Sequence, residues 1–401
     1  MSLPPLSPEQ LIKPRFFELR MSVIFATLFV SMGFHLPYFP LWLKSNGLDA
    51  AQIALVLSAP MFLRVFTTPL ITAAADRAKD RANVYLLLLA AALTISLGYS
   101  LVSSYFAILA ISLLLTVAWT PQSPLADSLA LSGVRRFGCD YPSMRIWGSL
   151  AFLGANLVGG VIIGATGEGA VPLMISGGLT LALIAAFGAP RMGRPRRDSP
   201  LSAAALEAAP RVLNRPFLLI VAGSGIINGS HGFIYAFGAI YWRSLGIDDT
   251  LMGFLWGAGV AAEVGMFFVF TRLFGRVSSL TVLKLAGAAA VVRWVAFPLI
   301  WPLGLGVAGF FVVQSLHAFS TALYLIGIQR LIGETVAEER TGAAQGVAFF
   351  ANGLSMATVT LLSGPIYTKL GDKGFFVMAL LAAAGLVLLS LASTPKLRRG
   401  R

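Results

Sequence analysis

Residues 253–271 read GFLWGAGVAAEVGMFFVFT, an apolar segment with a single carboxylate, Glu263, near its middle. A helix of about 20 apolar residues is long enough to cross the hydrocarbon core of a bilayer. A charged side chain at the bilayer centre costs roughly 2.5–3.5 kcal/mol on insertion scales. Because a chain rarely carries that cost without a use, we interpret Glu263 as the centre of a polar functional site inside a membrane.

The composition of the whole chain agrees with a membrane location. Of its 401 residues, 57% are hydrophobic and 12% are charged, whereas soluble domains contain about 25% charged residues. Further apolar blocks occur at 84–102, 106–117 and 374–392. We therefore predict an all-α polytopic membrane protein, in preference to a soluble helical protein with an unusually large core.

Hydrophobic segments predict twelve transmembrane helices, which we number as spans one to twelve. They cover 16–43, 51–75, 83–102, 105–134, 140–168, 170–190, 216–244, 250–274, 280–300, 304–333, 339–368 and 374–394. A proline- and arginine-rich stretch divides them, which predicts an N-terminal six-helix bundle (1–190), a cytoplasmic linker (191–215) and a C-terminal six-helix bundle (216–401). Two pseudo-symmetric bundles of six helices around a site at the midplane are an architecture of transporters.

The basic residues predict the orientation of the spans. Of the 30 Lys and Arg residues, 23 fall on the side of the two termini, four on the other side and three inside spans. Cytoplasmic loops carry such an excess of basic residues. We therefore expect both termini in the cytoplasm, in a bacterial-type inner membrane. The net charge of +13 is then a topology signal and does not indicate nucleic-acid binding.

Polar residues inside several spans recur at helical spacing, which places them on one face of each helix. Asn228, His231 and Tyr235 follow this spacing in span seven, and His317 and Thr321 follow it in span ten. Hydrogen bonding between helices, which contributes only about 0.6 kcal/mol per contact, would explain any single stripe. Stripes of this kind in six of the spans favour a shared cavity instead. The predicted substrate-binding residues are His35, Arg64, Asp127, Arg145, Phe152, Asn156, Asn228, His231, Tyr235, Gln345 and Asn352.

Five ionisable residues inside spans must pair or face water, because each is costly alone in a bilayer. Asp127 and Arg145 are placed to pair, and Glu263 has either Arg293 or His317 as a partner. Arg64 has no obvious partner; it either binds carbonyls near the prolines of its own span or contacts substrate. The surplus of one cation favours a monoanionic substrate such as a carboxylate.

Several of these residues stand in motifs that resemble a known family. They are Arg145-Ile-Trp-Gly-Ser149, Asp127, Glu263, Arg293 and Ser315-Leu-His317-Ala-Phe319. The set is similar to the major facilitator superfamily, and most similar to its lactose-permease-like and phenylpropionate-permease branches of proton symporters. The resemblance implies that Asp127, Arg145, Glu263 and His317 match sugar-binding positions and that Arg293 matches a residue that assists proton release.

The chain departs from the lactose-permease pattern at three positions. Ser320 stands where that pattern has its proton-carrying glutamate, Phe152 replaces a tryptophan that stacks on the sugar, and Met266 replaces an amide. These changes disfavour a lactose-type sugar and favour a more hydrophobic, aromatic carboxylate. They also leave Glu263 as the proton carrier, with Arg293 and His317 as its partners in proton coupling.

The sequence therefore predicts proton-coupled uptake of a small organic solute by alternating access, with an aromatic or other monocarboxylate favoured. Symport of a sugar or nucleoside and proton-antiport efflux of hydrophobic compounds are the alternatives within transport. A membrane-embedded enzyme is a distant alternative, because the chain has no His-Glu-x-x-His, Gly-x-Ser-x-Gly or Asp-rich metal motif. A substrate-sensing receptor is disfavoured because no soluble output domain is evident. We expect no cofactor, with the proton as the coupling ion. The expected partners are a small-molecule substrate and the lipid bilayer, and a monomer is expected to be sufficient for function.

Overall fold

The computed structural model describes residues 12–75, 77–193, 214–336 and 341–392, apart from the side chains of residues 135 and 341–343. Within these ranges the regular structure is helical and contains no β-strand. Most of the predicted linker, residues 194–213, lies outside the described part of the chain.

Twelve spans are present in the described ranges, which confirms the all-helical twelve-span prediction. Spans four, seven and ten are each made of two helices. In order, the spans comprise Phe17–Ser45, Ala50–Ala75, Arg81–Leu97, Tyr105–Trp119 with Gln122–Phe137, Tyr141–Thr166, Val171–Phe187, Arg215–Gly229 with Gly232–Ser244, Asp249–Phe274, Ser279–Ala296, Gly306–Ser315 with Leu323–Thr335, Thr341–Leu370, and Gly374–Leu391.

Spans eleven and twelve are joined so closely that length and hydropathy alone merge them. By those criteria the described residues contain eleven candidate membrane segments, the last of which runs over 48 residues, Ala344–Leu391. A continuous helix of that length would measure about 72 Å, more than twice the hydrocarbon thickness of a bilayer. The chain instead turns at Gly371, whose φ of +55° suits a residue without a Cβ, so the segment forms two spans.

Short polar residues fix where several spans begin. The side chains of Asp80, Ser104, Asp140, Asn214 and Ser278 each accept a hydrogen bond from a backbone N–H in the first turn of the helix that follows. Such caps satisfy donors that a helix start leaves without a partner.

Contacts divide the chain into two compact units, one formed by residues 1–199 with 248–254 and the other by residues 200–247 with 255–401. Within the first unit, span one packs on spans five and six, and span three packs on span six. Within the second, span seven packs on spans eleven and twelve, and span nine packs on span twelve. The same pairing recurs six spans later, as expected for pseudo-symmetric bundles. The predicted boundaries of the two bundles, at residues 190 and 216, remain a prediction.

Large apolar side chains occupy the outer surface of both units as well as their cores. Phe106 is 79% exposed, Phe268 is 73% exposed and Leu380 is 71% exposed, whereas Trp242 and Trp294 are fully buried. Apolar residues facing outward are stable in lipid and are unusual on a water-soluble surface.

Candidate functional site

Arg293 of span nine is the charged centre of a polar cluster in the second unit. Its side chain is 1% exposed. Its Nη2 donates to Gln314 Oε1 at 2.6 Å, and its Nη1 donates to His317 Nδ1 at 2.9 Å and to Ser320 Oγ at 3.4 Å. The guanidinium carbon also lies 4.6 Å from the centroid of the Trp294 ring. Among the described residues, no carboxylate lies within ion-pair distance of Arg293.

His317 connects this buried cation to Glu263, because its Nε2 lies 3.2 Å from Glu263 Oε2. An arginine N–H can only donate, so Arg293 requires an unprotonated Nδ1 on His317. The proton of the neutral imidazole then sits on Nε2 and is donated to the Glu263 carboxylate. Of the two partners expected for Glu263, the structure gives His317 as the direct one and Arg293 as an indirect one.

The two outer members of this chain of contacts are accessible. The side chain of His317 is 13% exposed and that of Glu263 is 23% exposed. A small molecule that enters the site can therefore contact the imidazole and the carboxylate. Arg293 is buried behind His317 and influences such a molecule through the imidazole.

Span ten departs from regular α-helix at this place. The helix Gly306–Ser315 ends just before His317, and Ala318–Ala322 form a π-helical turn. The wider turn lets both Ser320 and Thr321 reach His231 Nε2, at 3.1 and 3.4 Å. π-Turns of this kind are frequent at functional sites.

Span seven is interrupted at the same level. Its two helices end at Gly229 and begin at Gly232, and His231 lies in the break. His231 is fully buried, and its Nδ1 lies 3.1 Å from the carbonyl oxygen of Asn228. The Asn228 side chain donates to Asn352 Oδ1 of span eleven at 2.7 Å. The structure thus brings together three residues predicted for substrate binding with the three predicted for proton coupling.

In the first unit, Asp127 and Arg145 lie close together, as predicted, although their contact is loose. Arg145 Nε is 4.0 Å from Asp127 Oδ1, while the Tyr141 hydroxyl donates to the same oxygen at 2.8 Å. The Arg145 guanidinium lies over the Phe29 ring, 4.2 Å from its centroid. Both charged side chains are about one third exposed, so they are accessible to a solute.

The other predicted residues of the first unit occupy separate environments. His35 stacks on Phe39, with ring centroids 4.5 Å apart, and Phe152 is half-buried. Asn156 is 1% exposed, and neither polar atom of its amide has a hydrogen-bond partner among the described residues. Arg64 makes no hydrogen bond or ion pair within the same ranges, so the carbonyl contacts considered for it are not formed.

Two predicted residues of the second unit lie outside the Arg293 cluster. Tyr235 is half-buried and stacks on Trp256, with centroids 6.1 Å apart and an angle of 24° between the rings. Gln345 is exposed and donates to Gln329 Oε1 at 3.1 Å.

A model of the MFS_1 like family matches residues 18–378. The chain belongs to the MFS_1 like family. The expected relationship to the major facilitator superfamily is therefore confirmed.

Individual members of this superfamily resemble the chain over most of its length. It is 29% identical over 376 residues to the "Probable 3-phenylpropionic acid transporter" of Escherichia coli (strain K12), covering 90% of this chain and 94% of that protein. It is 27% identical to the "Maltose permease" of Geobacillus stearothermophilus over 281 residues, covering 68% of this chain and 70% of that one.

Solved structures of the superfamily show the same fold. The nucleoside transporter NupG superposes with a TM-score of 0.77 at 16% identity, covering 94% of this chain and 98% of that one. An inward-facing bacterial homologue of the lysosomal transporter Spinster superposes with a TM-score of 0.67 at 15% identity, covering 97% and 96%. This MFS_1 like protein is therefore a multi-pass membrane transporter and not an enzyme.

Sequence reasoning missed several members of the Arg293 cluster in this MFS_1 like transporter. Ser320 entered only as a departure from the lactose-permease pattern, although its hydroxyl contacts both Arg293 and His231. Trp294 donates from Nε1 to Ser230 Oγ at 2.7 Å, beside the break in span seven. The only sequence signal that could have identified Trp294 is its position directly after Arg293.

Proposed function

We propose that this protein is a proton-coupled transporter that takes up a small organic monocarboxylate, with an aromatic ring favoured, by alternating access. The observation that carries the proposal is the row Arg293–His317–Glu263. It presents one polarised N–H donor, the Nε2–H of His317, at an accessible site.

Two carboxylates compete for this donor. When Glu263 is ionised, its own carboxylate occupies His317 Nε2. Like charges at the same donor repel, so an anionic substrate is then excluded. A proton on Glu263 removes the repulsion, and the substrate carboxylate takes the place beside His317. The proton and the anion therefore bind as a pair, which is the requirement for symport.

Arg293 makes the exchange selective for anions. A buried cation needs a compensating negative charge, and the described residues supply it only through His317. Either the Glu263 carboxylate or the substrate carboxylate meets this need. A neutral solute that entered with a proton would leave Arg293 without compensation.

Aromatic side chains near the cluster support a substrate with a ring. Tyr235, which is half-buried, stacks on Trp256, and its centroid is 6.3 Å from that of His231. Offset stacking on such a surface stabilises an aromatic group by about 0.5–1.5 kcal/mol beyond the area it buries. The compound in the name of the E. coli relative, 3-phenylpropionic acid, combines a ring with one carboxylate.

We further propose an inner-membrane location with both termini in the cytoplasm. The placement of 23 of the 30 basic residues on the side of the termini supports this orientation. The sequence motifs that resemble those of proton symporters also support uptake as the physiological direction.

Reconstituted proteoliposomes test the function directly. With an inward proton gradient, we expect accumulation of labelled 3-phenylpropionate above its external concentration, and collapse of that accumulation by a protonophore. Maltose and a nucleoside serve as neutral comparison substrates in the same vesicles. Accumulation of the neutral compounds without the acid would refute the carboxylate assignment, and outward proton-driven transport of hydrophobic compounds would favour efflux.

A further inference from the structure

His231 is a buried titratable residue that the proposed exchange of carboxylates does not use. It lies in the break of span seven, where Ser230 Oγ accepts a hydrogen bond from Trp294 Nε1 and the His231 ring meets the Trp294 ring edge-on at 4.9 Å. Its exposure is 0%, so a solute in the site does not touch it.

The contacts of His231 define its tautomer. Nδ1 faces the Asn228 carbonyl oxygen at 3.1 Å, and a carbonyl oxygen can only accept. Nδ1 therefore carries the proton, and Nε2 presents a lone pair to the hydroxyls of Ser320 and Thr321, at 3.1 and 3.4 Å. This tautomer is the opposite of the one required for His317.

The shorter contacts decide which donor each imidazole nitrogen accepts. Ser320 lies closer to His231 Nε2 than Thr321 does, at 3.1 against 3.4 Å, and Arg293 Nη1 lies closer to His317 Nδ1 than the Thr321 hydroxyl does, at 2.9 against 3.2 Å. With its proton turned toward His231, Ser320 Oγ presents a lone pair to Arg293 Nη1. His231 thereby orients the hydroxyl oxygen that shares Arg293 Nη1 with His317.

A role for His231 as a proton carrier is disfavoured by the charges around it. From span nine, Arg293 reaches it through Ser320; from span ten, His317 lies 5.8 Å away between ring centroids; and Tyr235 of its own span lies at 6.3 Å. Glu263 lies beyond His317. A second buried cation beside Arg293 would have no anion in direct contact.

From these contacts we propose that His231 is a positioning residue, which fixes the hydroxyl orientation of Ser320 and so holds Arg293 and His317 in register for the carboxylate exchange. The use of this arrangement of Arg293 and His317 in carboxylate exchange rests on the proposed function. The arrangement itself is a property of the cluster and requires no substrate.

Two amide substitutions separate the ring nitrogens of His231. The amide of His231→Gln reaches the position of Nε2 and keeps an acceptor for Ser320. The shorter amide of His231→Asn reaches the position of Nδ1 and keeps only the donor to Asn228. The chain contains three histidines, so ¹⁵N-histidine labelling gives a spectrum simple enough to assign with single variants.

For the detergent-solubilised full-length protein we expect His231 as the Nδ1–H tautomer and His317 as the Nε2–H tautomer, both neutral over the pH range of transport. His231→Gln should leave the His317 resonances in place, and His231→Asn should shift the His317 Nδ1 resonance. In proteoliposomes, His231→Asn should lower proton-driven uptake by about tenfold, the scale of one hydrogen bond to a charged group, while His231→Gln retains most of it.

Each result decides between roles. A protonated His231 in the wild type, or loss of uptake in both variants with an unchanged His317 spectrum, would overturn the positioning role. Equal thermal destabilisation of both variants with no change at His317 would reduce His231 to a packing residue. Because the spectra require no ligand, they test His231 even if 3-phenylpropionate is not transported, which is the outcome that refutes the proposed function instead.

Discussion

Replacing Glu263 with glutamine removes the charge that competes with an anionic substrate and keeps the size of the side chain. We expect Glu263→Gln to bind an aromatic monocarboxylate with an affinity whose pH dependence no longer includes Glu263 and follows the ionisation of the ligand. The variant should match the wild type whose Glu263 is protonated and exceed the wild type whose Glu263 is ionised. It should also lose accumulation against a gradient, because no proton is carried, while retaining exchange of labelled for unlabelled substrate.

The size of the effect follows from the geometry of the shared donor. Two carboxylates that both approach His317 Nε2 would lie about 5 Å apart, and their repulsion is about 3 kcal/mol at an effective dielectric of 20 and about 1 kcal/mol in bulk water. The Glu263 side chain is 23% exposed, so the effective value lies between these limits. A repulsion of about 1.5–3 kcal/mol corresponds to roughly a 10- to 100-fold difference in Kd.

Binding of 3-phenylpropionate to the purified protein, titrated calorimetrically from acid to alkaline pH, measures this difference. Glu334→Gln is the matched control, because Glu334 lies at the end of span ten, is 46% exposed and pairs with Arg330. A Glu263→Gln protein that binds the acid more weakly than wild type in alkali, or that still accumulates it, would refute the competition between carboxylates.

Three further predictions test the contacts of both units. Arg293→Lys keeps the charge but cannot reach Gln314 and His317 together, and we expect it to weaken binding of the acid by at least about tenfold in calorimetry. Gly148→Ala would place a Cβ 2.9 Å from Phe29 Cδ2 and 3.4 Å from the Phe25 carbonyl oxygen of span one, so it should lower the melting temperature, whereas Gly154→Ala on the same helix meets no atom within 4 Å and should not. A double-mutant cycle on the hydrogen bond between spans seven and eleven, with alanine at 228 and 352, should give a coupling energy of about 0.6 kcal/mol in unfolding measurements; a value near zero would contradict the bond.

Hydrophobicity predicts the spans well because every residue of a transmembrane helix contributes to it. The predicted span 280–300, for example, corresponds to Ser279–Ala296 with the 3₁₀ turn Phe297–Leu299. The breaks inside spans seven and ten were not predicted, since a 3.6-residue pattern of polar residues continues across them. The π-turn is the reason that Ser320 joins His317 and Thr321 in one cluster.

Helical spacing also predicts a face without predicting depth in the membrane. Gln345 and Asn352 are both predicted substrate-binding residues of span eleven, yet seven residues separate them by about 10 Å along a helix. Asn352 meets Asn228 inside the second unit, whereas Gln345 is exposed beside Gln329. Spacing likewise allows either Arg293 or His317 as the partner of Glu263, and the three-dimensional structure places His317 between the carboxylate and Arg293.

The buried charge of Arg293 gives a physical reason for the proposed preference for an anionic substrate. The departures from the lactose-permease pattern alone do not give that reason. On the proposed mechanism the empty cluster is neutral, with Arg293 balanced by Glu263, and the loaded cluster is neutral too, with Arg293 balanced by the substrate. Leaving a buried cation without a compensating anion is costly, so the states with only a proton or only an anion are rare. A sugar brings no charge to replace that of Glu263, and a transporter built on this cluster couples poorly to it. Transport of a monocarboxylate with one proton should therefore be electroneutral, and an imposed membrane potential should leave its rate unchanged.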